Sequence, residues 1–290
     1  MRNSYNRGFI YRKRFTASAA LLFLSFISVH AETLTDALGR TFILNAPATR
    51  VVSLSPSVTE ILFALEAGGQ TVGRTEFCDY PPSAAAIPSV GGFSGATVSV
   101  ERIARLKPDL VVISADMHER LVSLLEALGI SIFAVEPRNF SQVFSCIETL
   151  GRLTGREKEA RRVVGAMQAQ LASVEKSQAV RVKPRVFWLL SDSPFLTSGK
   201  NTFVNEIIER AGGINIFADR EESWPLVNVE QILLRLPDWI LSTTDVSLQN
   251  SLNFNQFKNI RKARFNPSLV YRYGPRLSNA VQEVARVLSQ

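Results

Sequence analysis

Few side chains in this chain could carry out covalent chemistry. It holds two histidines, His30 and His118, and two cysteines, Cys78 and Cys146. No G-x-S-x-G elbow presents a nucleophilic serine and no Walker loop cradles a phosphate. A Ser-His-Asp triad would have to be built on His118. Asp116 and Glu119 beside it make a weak metal site conceivable, but a lone histidine early in a helix reads as a polar surface residue. No catalytic residue, metal site or cofactor follows. The chemistry on offer is recognition. Phe77, Tyr80, Phe93, Phe195 and Trp224 sit among Pro, Gly and Ser, outside any regular hydrophobic period. Phe93 lies in Gly-Gly-Phe-Ser-Gly and Trp224 in Glu-Ser-Trp-Pro. Flat aromatic faces with few polar tips suit a large, partly apolar ligand. Tyr80 reads instead as a plug for its own lobe.

Those aromatics need a scaffold, and strands alternating with helices supply it. Arg50–Ser55 is a compact apolar strand. Pro56 follows, then Ser57-Val-Thr-Glu60, a capping-box pattern that starts a helix over Val58–Leu65. Further strands are expected at Thr71–Glu76, Leu110–Ser114 and Ile130–Val135, with helices at Glu101–Leu106 and His118–Leu128. Thr33–Leu44 reads as a hairpin turning at Gly39. The stretch Gly155–Val180 has apolar Val163, Val164, Met167, Leu171 and Val174 at helical spacing and a charged opposite face. Beyond it the cycle restarts with a strand at Arg185–Leu190, a helix at Phe203–Arg210, strands at Trp239–Ser242 and Leu269–Tyr273, and a closing helix at Asn279–Leu288. The expected fold class is α/β: two Rossmann-like lobes with parallel sheets, residues 32–150 and 183–290, joined by one long rigid helix within 151–182. Such a helix is a strut rather than a hinge.

A repeat supports two lobes. Val98-Ser-Val-Glu-Arg-Ile-Ala-Arg-Leu-Lys-Pro-Asp109 aligns with Val227-Asn-Val-Glu-Gln-Ile-Leu-Leu-Arg-Leu-Pro-Asp238 without a gap. Ser99 and Asn228 read as N-caps, and Glu101 and Glu230 then occupy first helical turns, where an acid complements the helix dipole.

Charge excludes one function class. The formal charge of +7 rests on Arg2, Arg7, Arg12, Lys13 and Arg14; the rest of the chain carries +2, with no electrostatic footprint for nucleic acid. Those five cations precede the apolar run Phe15–Val29 and the small-residue pattern Val29-His30-Ala31. That layout predicts a cleaved signal peptide over residues 1–31 and no lipid anchor, since no cysteine follows the cut. The expected destination is the periplasm. An oxidising compartment permits a Cys78–Cys146 disulfide, but sequence alone cannot place the two within bridging distance.

From about Arg50 to the C-terminus the sequence resembles the class III, helical-backbone periplasmic binding proteins. The marks are Arg50-Val-Val-Ser-Leu-Ser-Pro-Ser-Val-Thr-Glu60, Asp79-Tyr-Pro-Pro82, Glu101-Arg-Ile with Leu106-Lys-Pro-Asp-Leu-Val111, Phe195-Leu-Thr-Ser-Gly199, Ala211-Gly-Gly-Ile-Asn-Ile-Phe217 and Trp224-Pro225. Asp79-Tyr-Pro-Pro82 and Trp224-Pro225 resemble more narrowly the cobalamin-binding proteins of vitamin ABC importers. The resemblance implies a non-enzymatic, monomeric receptor that captures a corrinoid between its lobes and delivers it to importer membrane subunits. It implies ligand contacts at Pro56, Phe77, Phe93, Ser94, Phe195, Trp224 and Arg272, and permease docking at Glu101 and Glu230. Phe77 and Phe93 stand where a pocket tyrosine and tryptophan are expected, which keeps a haem or ferric-siderophore receptor open as the alternative. A haem receptor would draw its axial ligand from Tyr80, Tyr271, Tyr273 or His118. A periplasmic enzyme or interaction domain that reuses the fold is the remaining rival.

Overall fold

The computed structural model describes Met1 and residues 32–179, 181–243 and 255–290. The expected signal peptide, beyond Met1, lies outside the described residues. A short antiparallel hairpin, β1 (Glu32–Thr35) and β2 (Thr41–Leu44), opens the described body. The first lobe then runs β3 (Val51–Ser53), α1 (Pro56–Ala64), β4 (Thr71–Arg74), α2 (Val100–Arg105), β5 (Leu110–Ser114), α3 (Ala115–His118), α4 (Val122–Glu126) and β6 (Ile132–Val135). Its four strands are all parallel, in the order β4-β3-β5-β6. Two helices follow, α5 (Phe140–Thr154) and α6 (Glu157–Gln178).

The second lobe comprises β7 (Arg185–Leu189), a small hairpin of β8 (Ser191–Asp192) and β9 (Phe195–Leu196), α7 (Phe203–Arg210), β10 (Ile214–Asn215), α8 (Val229–Leu234), β11 (Trp239–Ser242), β12 (Arg261–Arg264), α9 (Pro267–Val270) and α10 (Leu277–Leu288). Its sheet is again fully parallel, in the order β10-β7-β11-β12. In both sheets the first strand is flanked by the second on one side and the third on the other. Each lobe is thus a doubly wound unit with a switch point beside its first strand.

Strand side chains alternate between two faces, and the two faces enter different cores. Val51, Leu110, Val112, Val186, Trp188 and Leu241 point into one continuous hydrophobic cluster that also takes in α1, α5, α6, α7 and α10. Val52, Val111 and Ile113 point into a separate cluster on the far side of the first sheet, and Phe187, Leu189 and Ile240 into another on the far side of the second. The long helix α6, about 33 Å by its rise per residue, buries Ala160, Val164, Met167, Leu171 and Val174 in the shared cluster. Val163 is only partly buried at its edge.

Several local expectations are corrected. Helix α5 departs from the sequence reading: it runs across the expected lobe boundary at residues 150 and 151, with Gly151 inside it. A Cβ there would sit 2.6 Å from the Ala160 Cβ, so glycine lets α5 and α6 approach closely. Gly155, at φ 67°, turns the chain between them. The expected helix over 118–128 is broken into α3, a 3-10 turn and α4. The expected strand at Leu269–Tyr273 is instead the end of α9 and the loop after it. Asn266 Oδ1 accepts the Ser268 N–H at 2.9 Å and Pro267 opens the helix. Both cysteines are buried and unpaired.

The repeat is three-dimensional. Ser99 and Asn228 cap α2 and α8, Asn228 in a reciprocal box with Gln231, and Ile103 and Ile232 are fully buried. Lys107 and Leu236 both adopt left-handed backbone, at φ 47° and 45°. Asp109 accepts the Arg50 N–H at 2.9 Å and Asp238 accepts the Arg185 N–H at 2.7 Å, at the entry to the first strand of each lobe. The two arginines reach back to carbonyls at the end of α2 and just after α8.

Candidate functional site

A cleft of about 670 Å³ opens beyond the carboxyl ends of the first sheet, where α/β folds bind ligands. Its first wall is made of the loops that leave β3, β4, β5 and β6, carrying Pro56, Phe77, Phe93, Ser114, Asp116, Glu136 and Arg138. Its opposite wall carries Trp224, Tyr271, Arg272 and Tyr273. Phe77, Phe93 and Trp224 are 53%, 42% and 44% exposed, unusual for large aromatics with a core available. Phe77 and Phe93 meet edge to face, 5.7 Å between centroids. Their faces and that of Trp224 are free to stack on a flat ligand.

The Phe93 loop is held from below by His118. This histidine is buried, not on the surface as its place in a helix suggested. Its Nδ1 accepts the Ser114 N–H at 3.3 Å, so the proton resides on Nε2, which donates to the Phe93 carbonyl at 2.9 Å. Burial lowers its pKa, outweighing these two backbone bonds. A neutral imidazole thus ties the aromatic loop to the end of β5.

The Trp224 loop is held by the Phe195–Gly199 segment. The Thr197 N–H donates to the Pro225 carbonyl at 3.2 Å, Gly199 N–H to Ser223 at 2.9 Å, and Val227 N–H to Phe195 at 3.0 Å. A Cβ on Gly199 would lie 2.0 Å from the Glu222 carbonyl oxygen, so only glycine permits this approach. The Phe195 ring is half-buried against the outer core of the second sheet and does not line the cleft. Ser94 is also off the wall; its amide is bound by Thr97 Oγ1 within the loop. Of the seven expected contact residues, Pro56, Phe77, Phe93, Trp224 and Arg272 come together here, while Phe195 and Ser94 act behind the surface.

Arg272 is committed to an ion cluster. It donates to Asp79 Oδ1 at 2.5 Å and Glu60 Oε1 at 3.2 Å, and Arg276 clamps both Glu60 oxygens at 2.6 and 2.8 Å. Glu60 is therefore no capping-box partner of Ser57. The Ser57 hydroxyl instead accepts the Tyr273 N–H at 2.9 Å, and Ser55 is the N-cap residue of α1. Arg272 holds the Asp79 carboxyl below the usual carboxylate range. Arg138, on the other wall, is held by both oxygens of Asp116 at 2.8 and 2.7 Å. Of the four side chains named for a haem iron, His118 is engaged through both ring nitrogens. Beyond His118, the Tyr80 ring lies under Arg276, 3.7 Å from the guanidinium carbon to the ring centroid. Tyr271 Oη accepts from Thr243 at 2.9 Å, and Tyr273 stacks on Phe203 at 3.9 Å. Among the described residues no group of three or more His, Cys, Asp or Glu is placed to hold a metal ion.

Glu101 and Glu230 are exposed at equivalent points of α2 and α8. Glu101 accepts from Ser99 Oγ at 2.8 Å, and its own backbone N–H and that hydroxyl lower its pKa. Sequence reasoning missed Glu60, Glu136 and Arg138 as parts of the site and placed His118 on the surface. Arg272 and Arg276 lie in the loop between α9 and α10, and their proximity in sequence is the one local cue to a buried acid opposite them.

Known proteins resemble this arrangement over most of its length. The vitamin B12-binding protein of Salmonella choleraesuis is 32% identical over 246 residues, covering 84% of this chain and 91% of the relative. The crystal structure of periplasmic vitamin B12-binding protein BtuF of Vibrio cholerae superposes with a TM-score of 0.71 at 28% identity, over 84% of this chain and 97% of that one. A periplasmic haem-binding protein of the same organism, at 20% identity and a TM-score of 0.74 over 83% of this chain and 99% of that one, shares the fold. Residues 51–262, well over half of the chain, match the family described as periplasmic binding protein, and the chain belongs to this family.

Proposed function

We propose that this chain is the receptor of a vitamin importer. After export and removal of residues 1–31 it works in the periplasm as a monomer, takes one cobalamin or closely related corrinoid into the cleft, and hands it to the membrane subunits of an ABC transporter. It performs no turnover. Glu101 and Glu230 present one carboxylate on each lobe, a pattern that suits a two-fold symmetric membrane partner with matching cations.

One observation carries the ligand assignment. Three outward-facing aromatics, Phe77, Phe93 and Trp224, rim a cleft whose guanidiniums are already paired to carboxylates of the protein. Such a site rewards stacking and burial of a large neutral rim. A haem or ferric siderophore brings acidic groups, and the guanidiniums that line the cleft are already paired with Asp116, Glu60 and Asp79. The vitamin B12-binding relatives support the same reading. Calorimetry of the purified chain with cyanocobalamin and with haemin, read alongside visible absorbance, tests it. One cyanocobalamin should bind per chain. Absence of heat with cyanocobalamin, together with tight haemin binding, would overturn the assignment.

A further inference from the structure

Glu136 is the carboxylate on the cleft wall with no ion-pair partner among the described residues. It follows β6 on the first wall. Its Oε2 accepts the Ser114 hydroxyl at 2.6 Å and the Asp116 N–H at 3.3 Å, which fix the side chain without neutralising it. The neighbouring charges are all accounted for. Asp116 and Arg138 hold each other through two hydrogen bonds, and Glu60 and Asp79 share Arg272 and Arg276. Four carboxylates thus meet three guanidiniums, and the unbalanced charge rests on Glu136. Its charge is felt nearby: after burial itself, it is the next influence raising the pKa of both Tyr273 and Cys146.

We infer that Glu136 is a specificity-determining residue, whose carboxylate accepts a hydrogen bond from a neutral amide on the ligand's periphery and repels a carboxylate in the same place. This rests on the corrinoid reading above and deepens it: the preferred cargo is the fully amidated corrinoid rather than one carrying a free acid. Two effects add. A ligand acid beside Glu136 meets a like charge in a partly desolvated cleft, and it removes the N–H that would have paired with the Glu136 oxygen. Arg138 does not offset this, because both Asp116 oxygens already hold it.

The test compares cyanocobalamin with its monocarboxylic acids, in each of which one side-chain amide has been hydrolysed, on the wild-type chain and on Glu136→Gln. The glutamine keeps an oxygen for Ser114 and removes the charge. In the wild type at pH 7.5, at least one monoacid should bind about tenfold or more weaker than cyanocobalamin, and raising the ionic strength should narrow the gap. In Glu136→Gln the gap should close to about twofold. Equal binding of all monoacids by the wild type, or an unchanged gap in Glu136→Gln, overturns this inference alone. A wild-type chain that binds no cyanocobalamin overturns the proposed function instead. The salt dependence is read on the wild type, so it decides the matter even if the variant folds poorly.

Discussion

Glu60, on the first helix of one lobe, and Arg276, beside the last helix of the other, form a two-pronged ion pair across 216 residues of sequence, at 2.6 and 2.8 Å. The Glu60 side chain is 2% exposed, whereas the arginine keeps 18% of its surface in water. Arg272 adds a third contact to the same carboxylate and carries the link on to Asp79. This cluster reaches the cleft wall at Arg272 and joins the two lobes directly, in addition to the helices between them.

Removing the centre of that cluster leaves two guanidiniums facing each other without their shared anion. Glu60→Ala should lower the unfolding free energy by about 3 kcal/mol, since deleting one partner of a buried pair strands the other. Asp79→Ala, whose carboxylate is largely exposed, should cost no more than about 1 kcal/mol. Urea denaturation of both variants checks this; equal losses would show that burial of Glu60 is not what makes the cluster matter.

Trp224→Ala should weaken cobalamin binding by about 1–3 kcal/mol, the range for losing an aromatic face in a largely buried contact. Gly199→Ala should weaken it comparably, because the added Cβ pushes on the Glu222 carbonyl and shifts the loop that carries Trp224. Titration calorimetry of the two variants decides the point. Full affinity in Gly199→Ala would mean the loop does not depend on that close approach.

His118 sets a pH dependence whose sign follows from its burial. Its folded pKa lies below the unfolded value of about 6.5, so in the window between them the unfolded chain binds more protons. Stability is therefore highest above about pH 6.5 and falls as the pH drops through the lowered folded pKa. A protonated Nδ1 can no longer accept the Ser114 N–H, so the Phe93 loop loses its anchor in the same range. Melting of the wild type should drop between about pH 7 and pH 5 relative to His118→Gln, which does not titrate. Parallel pH profiles of the two proteins would remove His118 as the cause.

Glu101→Ala combined with Glu230→Ala should leave cobalamin affinity and melting temperature nearly unchanged while abolishing uptake into proteoliposomes that hold the importer. Ser99 and Asn228 still cap their helices in that variant. A variant that melts several degrees lower and still supports uptake would assign the two acids to helix capping alone.

What the sequence disclosed depended on how local the signal was. The parallel strands were legible because Val51–Ser53, Leu110–Ser114 and Trp239–Ser242 are short apolar runs with turn residues nearby. Trp224, Phe77 and Phe93 stood out by breaking hydrophobic period in loops. Phe195 broke period in the same way, yet its ring turns into the second lobe, because loop residues follow no alternation that fixes direction. Glu60 was misread because its partners lie more than two hundred residues away and Ser57 offered a plausible local role. The burial of His118 is likewise created by a distant segment, the Phe93 loop folding over it. Glu136 carried no local mark at all; its unbalanced charge exists only once the other carboxylates have found their arginines.

The shared cluster around α5, α6 and α10 bears on how the chain comes apart. Both sheets bury their inner faces in it, so neither half has a complete interior of its own. The protein should melt in one cooperative transition rather than two, despite its bilobed topology. Cutting the gene after α5, or after α6, would release fragments with a bare apolar stripe, which aggregate instead of refolding. The two halves repeat one another in pattern and still form a single thermodynamic unit.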